Sequence, residues 1–243
     1  HRDLHYPLRR QRQMCIRDRV RTVQSSAFKT LIEALKEILT DTNIEFDEQG
    51  IKIVAMDSSH VVLVHMKLDA DKFEYYNCLK KQLIGVNILN LFKLVKTMNT
   101  NDTLTLFMEK EDTNYLGIRI ETPEKNQSTT YKLNLMDLPV ETISIPPATF
   151  HSIITLPSSD FQKICRDMNN LADFIDIKNI GDQLLFSCLG DFCSQETIIT
   201  ENSQCMNLVK NDDSNEIIQG VFNLRYLVLF TKCTNLCGSV ELY

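Results

Sequence analysis

Glycine is scarce, with 7 in 243 residues, and the sequence contains neither a GxGxxG stretch nor a P-loop. The glycine-rich cradles that hold dinucleotides and triphosphates are thereby excluded. No apolar run approaches the roughly 18 to 20 residues of a membrane span, and nothing reads as a secretory signal. The eight cysteines (Cys15, Cys78, Cys165, Cys188, Cys193, Cys205, Cys233, Cys237) form no CxxC pair and lack companion histidines at zinc spacing. They are expected to be reduced thiols in the nucleus or cytoplasm, with Cys188 and Cys193 as small core residues and no metal or cofactor implied. Positive charge is also in deficit. With 26 Lys+Arg against 32 Asp+Glu the net charge is −6, which argues against an unselective basic nucleic-acid binder. Any contact with a polyanion must come from local placement of cations.

Catalytic constellations are missing as well. Asp57-Ser58-Ser59-His60 holds the residue types of a hydrolase triad, but neighbours on a strand-to-loop segment cannot align as nucleophile, base and orienter. His60 and His65 are five apart in an extended run and face opposite sides. A thiol-dependent hydrolase stands as the enzyme alternative, tested by alkylation of the cysteines.

What the chain does have is one pattern written twice around a hinge. Tyr131-Lys132-Leu133-Asn134-Leu135 alternates as a half-buried strand, and the period then stops. Leu138-Pro139 and Ile145-Pro146-Pro147 cannot continue a central strand. Leu138, Val140, Ile143 and Ile145 make the segment too apolar for a solvated tether, so it is expected to be a strap lying on a surface beside a groove.

The pattern predicts an α+β fold. Residues 1–18, with five arginines and two aspartates, are either foreign sequence or a basic arm, and without them the net charge is −9. A first unit over 19–135 has a strand from Val20 to Gln24 and a helix from about Ser26 to Leu39 with Ser25 and Ser26 as N-cap oxygens. Strands follow at 43–47, 50–56, 61–68 and 82–86, then a helix from Asn87 to Met98 and strands at 103–109, 115–121 and 129–135. The connector covers 136–150. A second unit over 151–243 has a helix from Pro157-Ser158-Ser159-Asp160 to Leu171, strands near 174–178 and 183–189, and a helix from about Phe222 to Lys232.

The stretch Asn87–Phe107 overlays Asn223–Tyr243 without a gap, and such a repeat outranks any short motif. The first copy carries two more strands after that point and the second does not, so the second unit is expected to be incomplete, with an unpaired apolar edge. Each helix carries two cations spaced to return to one face: Lys29 and Lys36, Lys93 and Lys96, Lys163 and Arg166, Arg225 and Lys232. Taken singly each pair reads as a solvated face. Together, in an acidic protein, they point to a polyanion bound through its phosphates.

Met56-Asp57-Ser58-Ser59-His60-Val61, Gly85-Val86-Asn87, Tyr131 to Leu138, Pro157 to Phe161, Ile164-Cys165-Arg166-Asp167 and Leu224-Arg225-Tyr226-Leu227 resemble the eukaryotic-type DNA sliding clamp, the proliferating cell nuclear antigen family. The resemblance runs from about Val20 to Tyr243, and the divergence between motifs suggests a viral or protist member. It implies the DNA clamp or processivity fold: two tandem βαβββ-type repeats with helices on one face of antiparallel sheets, assembled as a homotrimeric ring. It further implies a non-enzymatic processivity factor in DNA replication and repair, in the nucleus or at a cytoplasmic viral replication site.

By the same resemblance, the eight cations match positions facing threaded duplex DNA. Met56, His60, Val61, Leu63, Ile143, Ile145 and Pro146 match the pocket for short peptide motifs of DNA polymerase, clamp loader, ligase and flap nuclease; without the family they read equally as core packing. The subunit joint would pair strand 129–135 with the strand near 194–200 of a neighbour. Gly181 falls where the family has a modifiable lysine. The alternative within this fold is a subunit of a clamp-like checkpoint heterotrimer.

Overall fold

The structure, a computed structural model, describes residues 16–78, 80–110, 112–140, 143, 149–201, 206–210 and 217–243. Within them the first half runs β1 (Ile16–Thr22), α1 (Ser25–Leu35), β2 (Asp41–Asp47), β3 (Gly50–Met56), β4 (Leu63–Asp69), β5 (Tyr75–Asn77), β6 (Gln82–Asn87), α2 (Ile88–Val95), β7 (Thr103–Glu109), β8 (Tyr115–Thr122) and β9 (Gln127–Asn134). The second half runs β10 (Ser152–Pro157), α3 (Ser158–Asn169), β11 (Phe174–Ile180), β12 (Gln183–Leu189), β13 (Ser194–Thr200), β14 (Asn207–Lys210), β15 (Ile218–Asn223), α4 (Leu224–Phe230) and β16 (Ser239–Leu242).

In the first half a sheet of order β5-β1-β7-β8-β9 faces one of order β4-β3-β2-β6; the second half answers with β14-β10-β16 and β13-β12-β11-β15. The halves keep register. β6 and β15 start at Gln82 and Ile218, α2 and α4 at Ile88 and Leu224, β7 and β16 at Thr103 and Ser239, each pair 136 residues apart. β7 lies between β1 and β8, whereas its counterpart β16 is the edge of its sheet among the described residues.

Alternation builds each sheet. β2 buries Thr42, Ile44 and Phe46 and turns the residues between them outward. The hairpin from β2 to β3 closes at Asp47 and Gly50, where the Asp47 carboxylate accepts both Gln49 N–H (2.7 Å) and Gly50 N–H (3.0 Å). Gly50 has φ +147°, a backbone conformation that favours glycine. One apolar cluster joins both sheets of the first half with Phe28, Ile32 and Leu35 of α1 and Ile88, Leu91 and Val95 of α2. A second cluster repeats this around Phe161, Cys165 and Met168 of α3. The helices line up on one side: α1 packs against α2 and against the 3₁₀ turn Thr231–Leu236 after α4, and α3 packs against α4 and that same turn. Leu229 of α4 reaches the first cluster, so the two halves share apolar contact.

Several sequence expectations are corrected. β1 begins at Ile16, three residues inside the segment assigned to the tail, because residues 16–22 pair with β7. The serines expected to cap α1 do not: its N-cap residue is Gln24, and the Ser25 hydroxyl donates instead to Asn99 O (3.2 Å), the loop after α2. Ser158 does the same in the second half, donating to Cys237 O (2.6 Å) while Pro157 takes the N-cap position. α4 starts at Leu224 rather than Phe222, since residues 218–223 pair with β11 and the Asn223 side chain accepts from Arg225 N–H. Asn87 caps α2 likewise, accepting from Asn90 N–H. The strand expected over 61–68 begins at Leu63, which leaves His60 and Val61 in a loop.

Candidate functional site

Two surfaces collect the residues singled out by sequence: the helix layer and the ground beneath the strap. In the layer, α1, α2 and α3 each bury an apolar stripe and turn the other face from the sheets, while α4 buries Leu224 and half-buries Leu227, Val228 and Leu229. Residues 91–100 of the α2 region and 161–170 of the α3 region run through the same order of buried, half-buried and exposed positions. Lys93 and Lys96 therefore sit as Lys163 and Arg166 do, all four exposed. Arg225 is exposed on α4. Among the described residues none of these five lies within salt-bridge distance of a carboxylate; Lys93 Nζ donates only to Asn90 Oδ1 (3.3 Å).

The other three cations are engaged. Lys29 is half-buried and its Nζ donates to Met98 O (3.1 Å). Lys36, the C-cap of α1, stands 2.6 Å from Glu37 and 4.7 Å over the Phe92 ring. Lys232 falls in the 3₁₀ turn, not in α4, with its Nζ 3.6 Å from the same Glu37. Lys36 heads the causes that hold the Glu37 carboxyl below its ordinary value, with Lys232 assisting. Exposed Asp160 and Asp167 on α3 add negative charge that cation spacing alone does not register.

The strap is anchored on the edge strand β6. Met136 N–H donates to Gly85 O (2.8 Å), and Asn43 Nδ2 donates to Pro139 O (3.0 Å). Glycine is required at position 85 by proximity: a Cβ there would lie 2.3 Å from Met136 O and 2.9 Å from Leu138 Cγ. Beside the strap opens a groove of about 490 Å³, whose apolar lining comes from Val54, Ala55, Met56, Leu83, Leu138, Pro139, Val140 and Ile143, with His60 among its polar lining residues. The structure thus brings Met56, His60 and Ile143 to one groove. Leu63 is Met56's cross-strand neighbour and Val61, 67% exposed, sits in the adjoining loop, both outside the lining. Ile145 and Pro146 lie outside the described residues.

The loop that carries His60 and Val61 is organised by Asp57, a residue that sequence reasoning set aside along with the false triad. Asp57, 5% exposed, accepts Val61 N–H and Val62 N–H at 2.8 Å each and Ser59 N–H at 3.2 Å. It also accepts the hydroxyls of Ser59 and of Tyr226. With Ser59 as the largest cause and the Val62 and Val61 amides next, these donors hold its carboxyl far below the usual range. His60 makes the tight return with φ +55°, a conformation costing a non-glycine residue about 1 kcal/mol or more. An aspartate followed by Ser-Ser at a strand end was the available signal, since such carboxylates turn back onto amides two residues on.

Two of the buried thiols are poorly suited to the nucleophile that the hydrolase alternative needs: burial pushes Cys165 up to about 12 and Cys78 up to about 11, away from the thiolate form. Edge strands remain at both ends. β9 closes the five-stranded sheet and β13 the four-stranded sheet of the second half, each with alternating exposure.

Residues 19–142 match the family model described as proliferating cell nuclear antigen, N-terminal domain, and residues 144–243 the one described as proliferating cell nuclear antigen, C-terminal domain. Among curated proteins, the chain is similar to the probable DNA polymerase sliding clamp 1 of Paramecium bursaria Chlorella virus 1. The two are 36% identical over 228 residues, covering 92% of this chain and 86% of that protein.

Proposed function

Because both of its halves match, the chain belongs to the proliferating cell nuclear antigen family, and we infer that it is a DNA polymerase sliding clamp, a processivity factor of DNA replication. The match of each half to its own family domain, in order and across the connector, carries this conclusion. In this reading the protein catalyses nothing. It converts a weak phosphate contact into a tether, raising the effective concentration of polymerase at the primer end.

Three copies form a ring around duplex DNA, with the helix layer inward and strand β9 of one copy paired with β13 of the next. Both are edge strands among the described residues, which supports that joint. Lys29, Lys36, Lys93, Lys96, Lys163, Arg166, Arg225 and Lys232 face the DNA, the five unpaired ones contributing most because Glu37 already offsets Lys36 and Lys232. The groove beside the strap receives short peptide segments of the polymerase, the clamp loader, ligase and flap nuclease, at a nuclear or cytoplasmic viral replication site. The boundaries 19–135, 136–150 and 151–243 divide ring domain, strap and ring domain, with the first domain extended back to Ile16, where β1 begins.

The test is primer extension by a DNA polymerase on closed circular and on linear templates, with a clamp loader present. Long products on the circle, lost when the template has free ends, are expected. Equal stimulation on both templates, or none on either, overturns the reading.

A further inference from the structure

We propose that Tyr226 is a positioning residue for the docking groove: its hydroxyl, carried by the second half of the chain, fixes the loop of residues 57–62 that borders the partner site of the first half. The inference rests on the groove being that site.

The geometry separates this bond from its neighbours. Ser59, Val61 and Val62, which also donate to Asp57, all belong to the loop itself. Asp57 N–H also donates to Val62 O (2.9 Å) and His60 N–H to Asp57 O (3.0 Å), so the loop holds its own shape. Local closure sets shape and leaves placement open. Tyr226 OH, 3.1 Å from Asp57 Oδ2 and 3.0 Å from Ser59 Oγ, reaches this closed unit across 169 and 167 positions of sequence.

It comes from α4, whose Asn223 cap and Leu224 anchor fix that helix in the second half. The loop therefore answers to two bodies, strands β3 and β4 at its ends and α4 at its middle. Arg225, next to Tyr226 on the same short helix, is one of the unpaired cations of the inward face. Displacement of α4 by a bound polyanion is thus felt at His60 and Val61.

A purely structural tyrosine predicts something different. Removing its hydroxyl leaves Asp57 with the Ser59, Val61 and Val62 donors in place, so no buried charge is orphaned and little stability is lost. What is lost is the tie between the loop and the helix.

The experiment compares Tyr226→Phe with the wild-type full chain, measuring affinity for an immobilised replicative DNA polymerase, thermal unfolding, and amide exchange at Ser59, Val61 and Val62. Expected are an affinity about three- to tenfold weaker, the size of one ordinary hydrogen bond, faster exchange confined to those amides, and an unchanged Tm. Unchanged affinity and exchange in a folded variant overturn the proposal. If Tyr226→Phe lowers Tm, the double variant with Ser59→Ala decides. Non-additive losses of affinity place Tyr226 in the loop's network, and additive losses refute it. A wild-type chain that binds no polymerase while forming a DNA-retained ring would instead remove the partner-site assignment.

Discussion

Gly85→Ala should unseat the strap while sparing the sheets. The added Cβ would meet Met136 O at 2.3 Å and Leu138 Cγ at 2.9 Å. Backbone oxygen cannot give way as a side-chain tip can, so the strap must retreat by roughly 1 Å to restore ordinary contact. That retreat stretches the 2.8 Å bond from Met136 N–H to Gly85 O beyond hydrogen-bonding range. The broken bond costs about 0.5 to 1.5 kcal/mol, and each methylene of Leu138 returned to water about 0.8 kcal/mol.

A total of about 1 to 3 kcal/mol, felt only in the strap-seated state, weakens polymerase binding roughly 5- to 150-fold. Leu138 belongs to neither buried cluster, so Tm should fall by no more than about 4 °C. Surface-binding titration with the polymerase, together with amide exchange at Met136, measures both. Gly238→Ala, whose Cβ meets nothing within 4 Å, is the matched control. Wild-type affinity and wild-type protection of Met136 in the Gly85→Ala chain would refute the account of the strap.

Replacing Lys93 and Lys96 by glutamate should leave stability within about 0.5 kcal/mol of wild type. It should shorten residence on circular DNA and reduce the salt slope of binding by about 0.9 for each phosphate no longer neutralised; an unaltered slope counts against the inward face. Alkylation at pH 8 should label exposed Cys237 readily and leave Cys78 and Cys165, both pushed far above that pH by burial, unmodified until the chain unfolds. Peptide mapping reads the difference. The Asp57 carboxyl is held below its unfolded value of roughly 3.9, so its support of the loop is complete above that pH and is lost as pH falls through the depressed folded value. Protection of Val61 and Val62, corrected for intrinsic rates, should stay level from pH 7 to about 4 and decline below; a decline already at pH 6 would exclude Asp57 as the cause.

The duplication, the helices and the strap were legible because each leaves a period or a break in one: Ile88, Leu91 and Val95 recur at helical spacing, and prolines interrupt the alternation after Leu135. β5 leaves little signal because it has three residues. β1, expected from Val20, starts instead at Ile16, its alternation hidden behind Arg17, Asp18 and Arg19, although it sits between two strands with Arg19 over the Tyr75 ring. The sequence does not mark the start of α4, because Val221 and Phe222 run straight into its apolar residues with only Asn223 between. The helix-start serines misled for a physical reason. Ser25 and Ser158 are almost wholly buried, and their hydroxyls bond to a distant loop in place of the adjacent amides. At the candidate surfaces, cation spacing could be read but not neutralisation, since Glu37 meets Lys232 only after folding. The bond between Asp57 and Tyr226 joins residues 169 apart and leaves no local trace.

The matched burial order of residues 91–100 and 161–170 bears on motion as well as on attraction. In the ring proposed above, charges repeated at like positions give threaded DNA no deepest resting place: each step forward trades one phosphate partner for an equivalent one. A surface of that kind is steep against escape and nearly level along the axis, so diffusion in one dimension proceeds without release.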